Sequence, residues 1–178
     1  VIDVGADHIL VATGSTWRRD GLGRSSPVVI ASYDDPRTLT PDDIMAGRRP
    51  EGPVLIFDDD HYYMASVVAE LLAREGRDVT FVSSAGVVAP FTNYTAEQAR
   101  VQAGLIAAGV RIAVSMTVAG LSADGATLQC VYSGVTQIIA CGGFVPVTSR
   151  APDDALWQSL QGMSCKSLVR IGDCKAPG

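Results

Sequence analysis

This sequence has no glycine-rich phosphate loop, no closely spaced cysteine pair, no basic cluster and few aromatic residues. Each absence excludes something. With 14 Lys and Arg against 19 Asp and Glu, the formal net charge is −5. Nucleic acid and anionic membrane surfaces both demand clustered positive charge, so neither is expected as a partner. The pairs Arg18-Arg19 and Arg48-Arg49 lie in irregular segments and read as solvated loop residues. Cys130, Cys141, Cys165 and Cys174 show no C-x-x-C spacing, which argues against a metal site. They read as reduced, mostly buried thiols of a cytoplasmic protein. No apolar run reaches the ~18 residues needed to cross a bilayer. The chain also opens without the basic segment and apolar stretch of a signal peptide. It begins with Val1 rather than Met, as expected of a domain from a longer polypeptide. Neither His8 nor His61 has a nucleophile at motif spacing, so no catalytic residue is assigned.

What is present is apolar and regularly patterned, with 47% hydrophobic residues. Ile9 to Ala12 reads as a short strand ending in Thr13-Gly14. Residues 16 to 53 read as connecting loop holding one short helix, for which Thr40 is the cap, Pro41 the first position and Gly47 the stop. From Pro53 strands and helices alternate. Val54 to Phe57 is a continuous apolar strand, and Met64, Val67, Val68, Leu71 and Leu72 trace one helix face. Asp78 to Ser83 gives a second strand. Thr95-Ala-Glu-Gln98 reads as a capping box opening another helix, and Val110 to Val114 restarts a strand. Asp124-Gly125 and Ser133-Gly134 are hairpin signals that mark a three-stranded antiparallel excursion. Residues 142 to 165 read as loop plus a short helix, and Ser167 to Ile171 as a closing strand before Gly172-Asp173. The fold class expected is α/β: a Rossmann-like three-layer domain with a parallel sheet, flanking helices and that excursion.

The turn after the Val54 strand stands where a dinucleotide fold carries G-x-G-x-x-G. Its three glycine positions hold Asp58, Asp60 and Tyr63. Asp59 or Asp60 is expected to cap the following helix and occupy the N–H groups a pyrophosphate would use. Each close like-charge pair costs a phosphate about 1 kcal/mol in water and about 4 at an effective dielectric of 20. Micromolar binding totals only about −8 kcal/mol. Tyr63 is expected to hold the helix off the strand or fill the groove. Asp58 to His61 also contains metal-ligand side chains, but four consecutive turn residues converge poorly on one ion, and a solvated, helix-capping turn is the preferred reading.

Three features then fall in order. Ile9-Leu-Val-Ala-Thr-Gly14 resembles the A-T-G motif at which two-dinucleotide-domain flavoproteins leave their FAD domain. The βαβαβ unit with its meander resembles their NAD(P)H domain, and Leu168-Val-Arg-Ile-Gly-Asp173 resembles the G-D motif of re-entry. The chain is similar to the C-terminal region of the trimethylamine dehydrogenase and 2,4-dienoyl-CoA reductase family, the old yellow enzyme-like NADH:flavin oxidoreductases. Asp60, Tyr62, Met64 and Ala65 match the D-x-Y-x-M-A pattern of its amine dehydrogenase and N-demethylase branch. Trp17, Thr40-Pro41 and Ile171 to Pro177 fit it too.

The resemblance implies that residues 1–20 and 166–178 are fragments of an FAD- or ADP-type domain. Residues 45–142 would be the NAD(P)H-type domain, with 21–44 as connecting loop and 143–165 as loop and short helix. It implies a parent with an FMN barrel, a [4Fe–4S] cluster and FAD or ADP, while this chain itself is expected to hold no cofactor and no metal. Thr13, Gly14, Gly172 and Asp173 would form the edge of the FAD or ADP site. The implied partners are the rest of the same polypeptide and an electron-transfer protein. The domain itself is expected to be non-catalytic, inside an enzyme that oxidatively demethylates small amines or N-methyl amino acids. The alternative is a working NAD(P)H domain of a dienoyl-CoA-reductase-like enzyme.

Overall fold

Runs without a polar face become strands covered on both sides. The computed structural model describes residues 5–177, so residues 1–4 and Gly178 of the expected flanking fragments lie outside it. Two units form, one from residues 5–17 with 150–177 and the other from 18–149. The first contributes β1 (His8–Val11) and β2 (Ser15–Trp17). The second holds α1 (Pro41–Met45), β3 (Val54–Asp58), α2 (Met64–Arg74), β4 (Val79–Ser83) and α3 (Gln98–Ala107). It continues through β5 (Arg111–Ala113), β6 (Met116–Ser122), β7 (Gly125–Cys130), β8 (Thr136–Ile139) and β9 (Gly143–Val147). The first unit then resumes with β10 (Arg150–Pro152), α4 (Ala155–Ser159) and β11 (Ser167–Arg170).

In the second unit four parallel strands line up as β5-β4-β3-β9. Every residue of β3, β4 and β9 is buried. On one face α2 packs against β3 and β4, burying Ala65, Val68, Ala69 and Leu72. On the other lies the antiparallel meander β6-β7-β8. There Leu55, Phe57, Val82 and Phe144 share one apolar cluster with Val118, Leu121, Ala126 and Leu128. The layers are thus helices, sheet and meander, and the expected α/β class is observed. α1 forms for local reasons: Thr40 Oγ1 accepts from Asp43 N at 3.2 Å, while the Asp43 carboxylate accepts from Thr40 N at 2.9 Å. Among the described residues no helix is long and apolar enough to cross a membrane.

Several sequence expectations need correction. Residues 143–147 are not loop but β9, paired with β3 from Val54↔Gly143 to Asp58↔Val147. Pro146 hides this strand from pattern reading. Phe144 N donates outward to the Arg37 carbonyl. Residue 146 faces the same way two positions on, so the missing proline N–H falls on the edge away from β3. The capping box at Thr95 does not form. Pro90–Thr95 is a 3₁₀ turn, Thr95 Oγ1 donates to the Thr92 carbonyl at 3.0 Å, and Ala96 is left-handed at φ 58°. α3 therefore starts at Gln98 with no side-chain cap. Ser15–Trp17 and Arg150–Pro152, expected as loop, pair antiparallel as β2 and β10.

Within the first unit β1 pairs parallel with β11, from His8↔Ser167 to Val11↔Arg170. Ile9, Val11, Leu160 and Cys174 form its small core. Parallel pairing puts Thr13-Gly14 and Gly172-Asp173 beyond the same ends of adjacent strands.

Candidate functional site

In open parallel sheets ligands bind beyond the carboxyl ends of the strands. The end of β3 is therefore the first place to look. Asp59 N and Asp60 N both donate to the Val147 carbonyl of β9, at 2.9 and 3.0 Å. The chain thus bends toward β9 as soon as β3 ends. His61 then takes φ 66°, and its N–H closes the turn on Asp58 Oδ1 at 2.9 Å.

The carboxylates point inward. Asp58 and Asp59 are wholly buried and Asp60 is 9% exposed, so the turn is not the solvated one expected. Nor do these groups cap α2, whose N-cap is Tyr63 without any side-chain hydrogen bond. Asp59 looks away from the helix, because better donors lie on the other side. Its Oδ2 accepts from Ser25 N at 2.8 Å and Ser26 N at 3.2 Å, and its Oδ1 from Ser84 Oγ at 2.7 Å. Ser84 has thereby given away its only hydroxyl proton. Its 3.0 Å contact with His61 Nε2 requires the ring to donate. Burial lowers the His61 pKa and keeps the ring neutral, with the proton on Nε2. A serine nucleophile needs the reverse polarity, with histidine accepting. This Ser–His–Asp contact is structural.

Asp58 meets burial differently. Its Oδ2 has no hydrogen-bond partner. Burial first, then the neighbouring Asp60 and Asp59, push its pKa up to about 8. The His61 and Ala89 amides work against that rise.

A segment read as plain loop covers this turn. Leu22 offers its carbonyl to Ser149 Oγ just past β9. Gly23 lies so close to Asp59 that a Cβ there would sit 2.2 Å from the carboxylate oxygen, which only glycine tolerates. Ser25 and Ser26 give their N–H groups to Asp59, and Ser26 Oγ meets Thr117 Oγ1 of β6 at 3.3 Å. Residues 22–26 thus run from the end of β9 past the turn after β3 to β6. Beside them a cleft of about 660 Å³ opens between Val28, Val29, Val118 and Val131, with no Lys or Arg in its lining. Ser26, Ser84, Thr117 and Gln129 also line it, so its walls are mixed in polarity and offer a pyrophosphate no cation.

The Tyr63 hydroxyl bonds Thr95 Oγ1 at 2.7 Å and the Glu97 carboxylate, and Ala65 in the first turn of α2 is buried. In the first unit, Thr13 Oγ1 donates to the Asp153 carbonyl. Asp173 Oδ2 accepts from Ser15 Oγ and Arg150 Nη1, each at 3.2 Å. Sequence reading missed Ser25, Ser26, Ser84 and the inward role of His61. The faint signal was Gly21-Leu-Gly-Arg-Ser-Ser26, small residues fit to pass close to something.

The OYE-like second alpha/beta domain family matches residues 39–137, more than half of the chain. The chain belongs to that family. It is 26% identical over 205 aligned residues to dimethylamine dehydrogenase of Hyphomicrobium sp. (strain x), covering 99% of this chain and 28% of that protein. Its structure resembles 6-hydroxypseudooxynicotine amine oxidase of Pseudomonas geniculata N1, at 38% identity and a TM-score of 0.94. That match covers 100% of this chain and 27% of the oxidase. Histamine dehydrogenase of Rhizobium sp. 4-9 is similar at 36% identity and a TM-score of 0.91, over 99% of this chain and 29% of that one. The chain thus spans between a quarter and a third of these relatives' lengths. The OYE-like family and these amine-oxidising relatives establish the resemblance to the trimethylamine dehydrogenase C-terminal region.

Proposed function

We propose that this chain is a non-catalytic structural domain of a cytoplasmic flavin- and iron–sulfur-dependent oxidoreductase that oxidises small amines or N-methyl amines. The observation that carries this reading is the turn after β3, where the three glycine positions hold Asp58, Asp60 and Tyr63 and residues 22–26 are bonded to the buried Asp59. The fold keeps its strand-end crevice and fills it with its own chain. In such a parent, electrons would pass from the amine to a flavin and an iron–sulfur cluster elsewhere in the polypeptide, then to a carrier protein, without nicotinamide.

Thr13, Gly14, Gly172 and Asp173 would lie at the edge of an FAD or ADP site. The Thr13 hydroxyl and Asp173 Oδ2 are already engaged by Asp153, Ser15 and Arg150. These residues alone do not make a nucleotide site, and the rest of the polypeptide would supply the remainder. Calorimetric titration with NADH and with NADPH tests the sealed crevice. No saturable heat is expected up to millimolar ligand. Saturable binding would reverse the reading in favour of a working NAD(P)H domain of the dienoyl-CoA reductase kind.

A further inference from the structure

A strand at an open sheet edge keeps unpaired main-chain N–H and C=O groups that another strand can take. Within residues 18–149 the chain closes the β6 and β9 edges itself. β6 is met by Ala31, whose N–H donates to the Ala119 carbonyl and whose carbonyl accepts from Leu121 N. β9 is met by residues 37–39, through Phe144 N to the Arg37 carbonyl and Leu39 N to the Phe144 carbonyl. β5 stays open, but it is only Arg111–Ala113 and starts on a charge.

β8 is different. It ends the meander β6-β7-β8, and among the described residues no strand or bridge lies on its outer side. The Cys130 amide donates to the Val135 carbonyl at 2.9 Å, so these two residues form a bonded pair. Bonded pairs alternate along an antiparallel ladder, which makes Leu128↔Gln137 and Ala126↔Ile139 the next ones. Thr136 and Ile138 therefore turn their N–H and C=O groups outward. Thr136, Gln137 and Ile138 are all exposed, as is Val135 before them. The usual guards of an edge are missing. β8 has no proline, no lysine and no bulge, and no charged residue occurs between Asp124 and Arg150.

We propose that β8 is a self-association strand, through which two copies of this chain pair antiparallel and join their meanders into one sheet. Two features favour a second copy as the occupant. An antiparallel strand paired with itself satisfies a two-fold axis, so a single contact closes both open edges. Each copy also carries a net charge of −5, which opposes association over most of the surface. The uncharged stretch 125–149 lets two copies meet without that repulsion. In the register that sets Thr136 against Ile138 of the second copy, these residues exchange main-chain hydrogen bonds. Gln137 then faces its own counterpart across the axis. The contact is small, so the dimer is weak and reversible.

Sedimentation velocity of the 178-residue chain, with amide hydrogen exchange at the same concentrations, tests this. Between about 5 and 500 µM the mass should shift from monomer toward dimer, as a small interface requires. Over that range exchange at Thr136 and Ile138 should slow about threefold or more, while Gln137 and Ile139, already bonded to β7, stay within about twofold. Gln137→Lys brings the net charge closer to zero, yet sets like charges opposite each other at the axis. It should abolish the dimer. Ile106→Lys, the same charge change at an exposed position of α3, should leave it intact. A monomer at every concentration overturns the proposal and leaves the edge to a strand from another protein. A dimer that both variants weaken equally, or that forms without protecting Thr136 and Ile138, also overturns it. Should Gln137→Lys not fold, the exchange pattern of the wild type decides alone. None of these outcomes depends on whether nicotinamide nucleotides bind.

Discussion

Two consecutive aspartates, Asp58 and Asp59, show how far identical side chains diverge in one turn. Donors converge on Asp59, while Asp58 has an oxygen that meets none. The consequence for stability has a definite sign. The Asp58 pKa of about 8 in the folded state lies above the value near 4 of a free carboxylate. Between those limits the folded chain holds a proton that the unfolded chain has lost. Asp58 therefore costs nothing below about pH 4, and stability falls as pH rises toward 8, by at most about 1.4 kcal/mol per unit. Urea unfolding at several pH values should show this slope in the wild type and a shallower one in Asp58→Asn. Equal slopes would mean that Asp58 titrates normally. In sequence, the Asp58-Asp60-Tyr63 substitutions already spoke against a phosphate. Their inward direction was not legible, because the donors at Ser25 and Ser26 lie more than thirty positions away.

Among the elements, legibility followed whether the cause was local. β3 declared itself as the uninterrupted apolar run Val54 to Phe57, β4 was read within Asp78 to Ser83, and α1 carried its own cap at Thr40. Both hairpin turns of the meander were readable from Asp-Gly and Ser-Gly. β9 was not, since Gly142-Gly143 and Pro146 signal irregular chain and only pairing with β3 makes it a strand. Its place in the core is testable through Phe144, wholly buried between Leu55, Phe57 and the meander. Phe144→Ala should lower unfolding free energy by about 3–5 kcal/mol, read from denaturant midpoints. A cost under about 1 kcal/mol would place residues 143–147 outside the core. The Thr95 capping box failed for the converse reason. The right letters were present, but left-handed Ala96 interrupts the chain before α3 can begin.

At the scale of the molecule, the two units differ in how much they bury. Residues 18–149 contain the four-stranded sheet with both faces covered. The other unit has two-stranded sheets, with Leu10, Val169 and Ile171 exposed. Two-stranded pairs are marginal by themselves, and parallel strands ordinarily have both faces covered. Limited proteolysis should therefore cut first within residues 5–17 and 150–177 and leave a core close to 18–149, identified by mass spectrometry. Early cleavage inside the four-stranded sheet would contradict this ranking. The chain spans only 27–29% of the length of each of the amine-oxidising relatives named above.

The sequence alone determined the α/β alternation, the hairpins and the loss of the glycine turn, because apolar period, turn residues and side-chain volume act over a few neighbouring positions. It also carried the family, through short motifs in a fixed order. Tertiary structure alone decided which way the acids face, which segment closes the crevice and that residues 143–147 join the sheet. Those outcomes depend on donors and strands brought together from distant positions, and burial then raises the pKa of Asp58, which the serine donors do not reach.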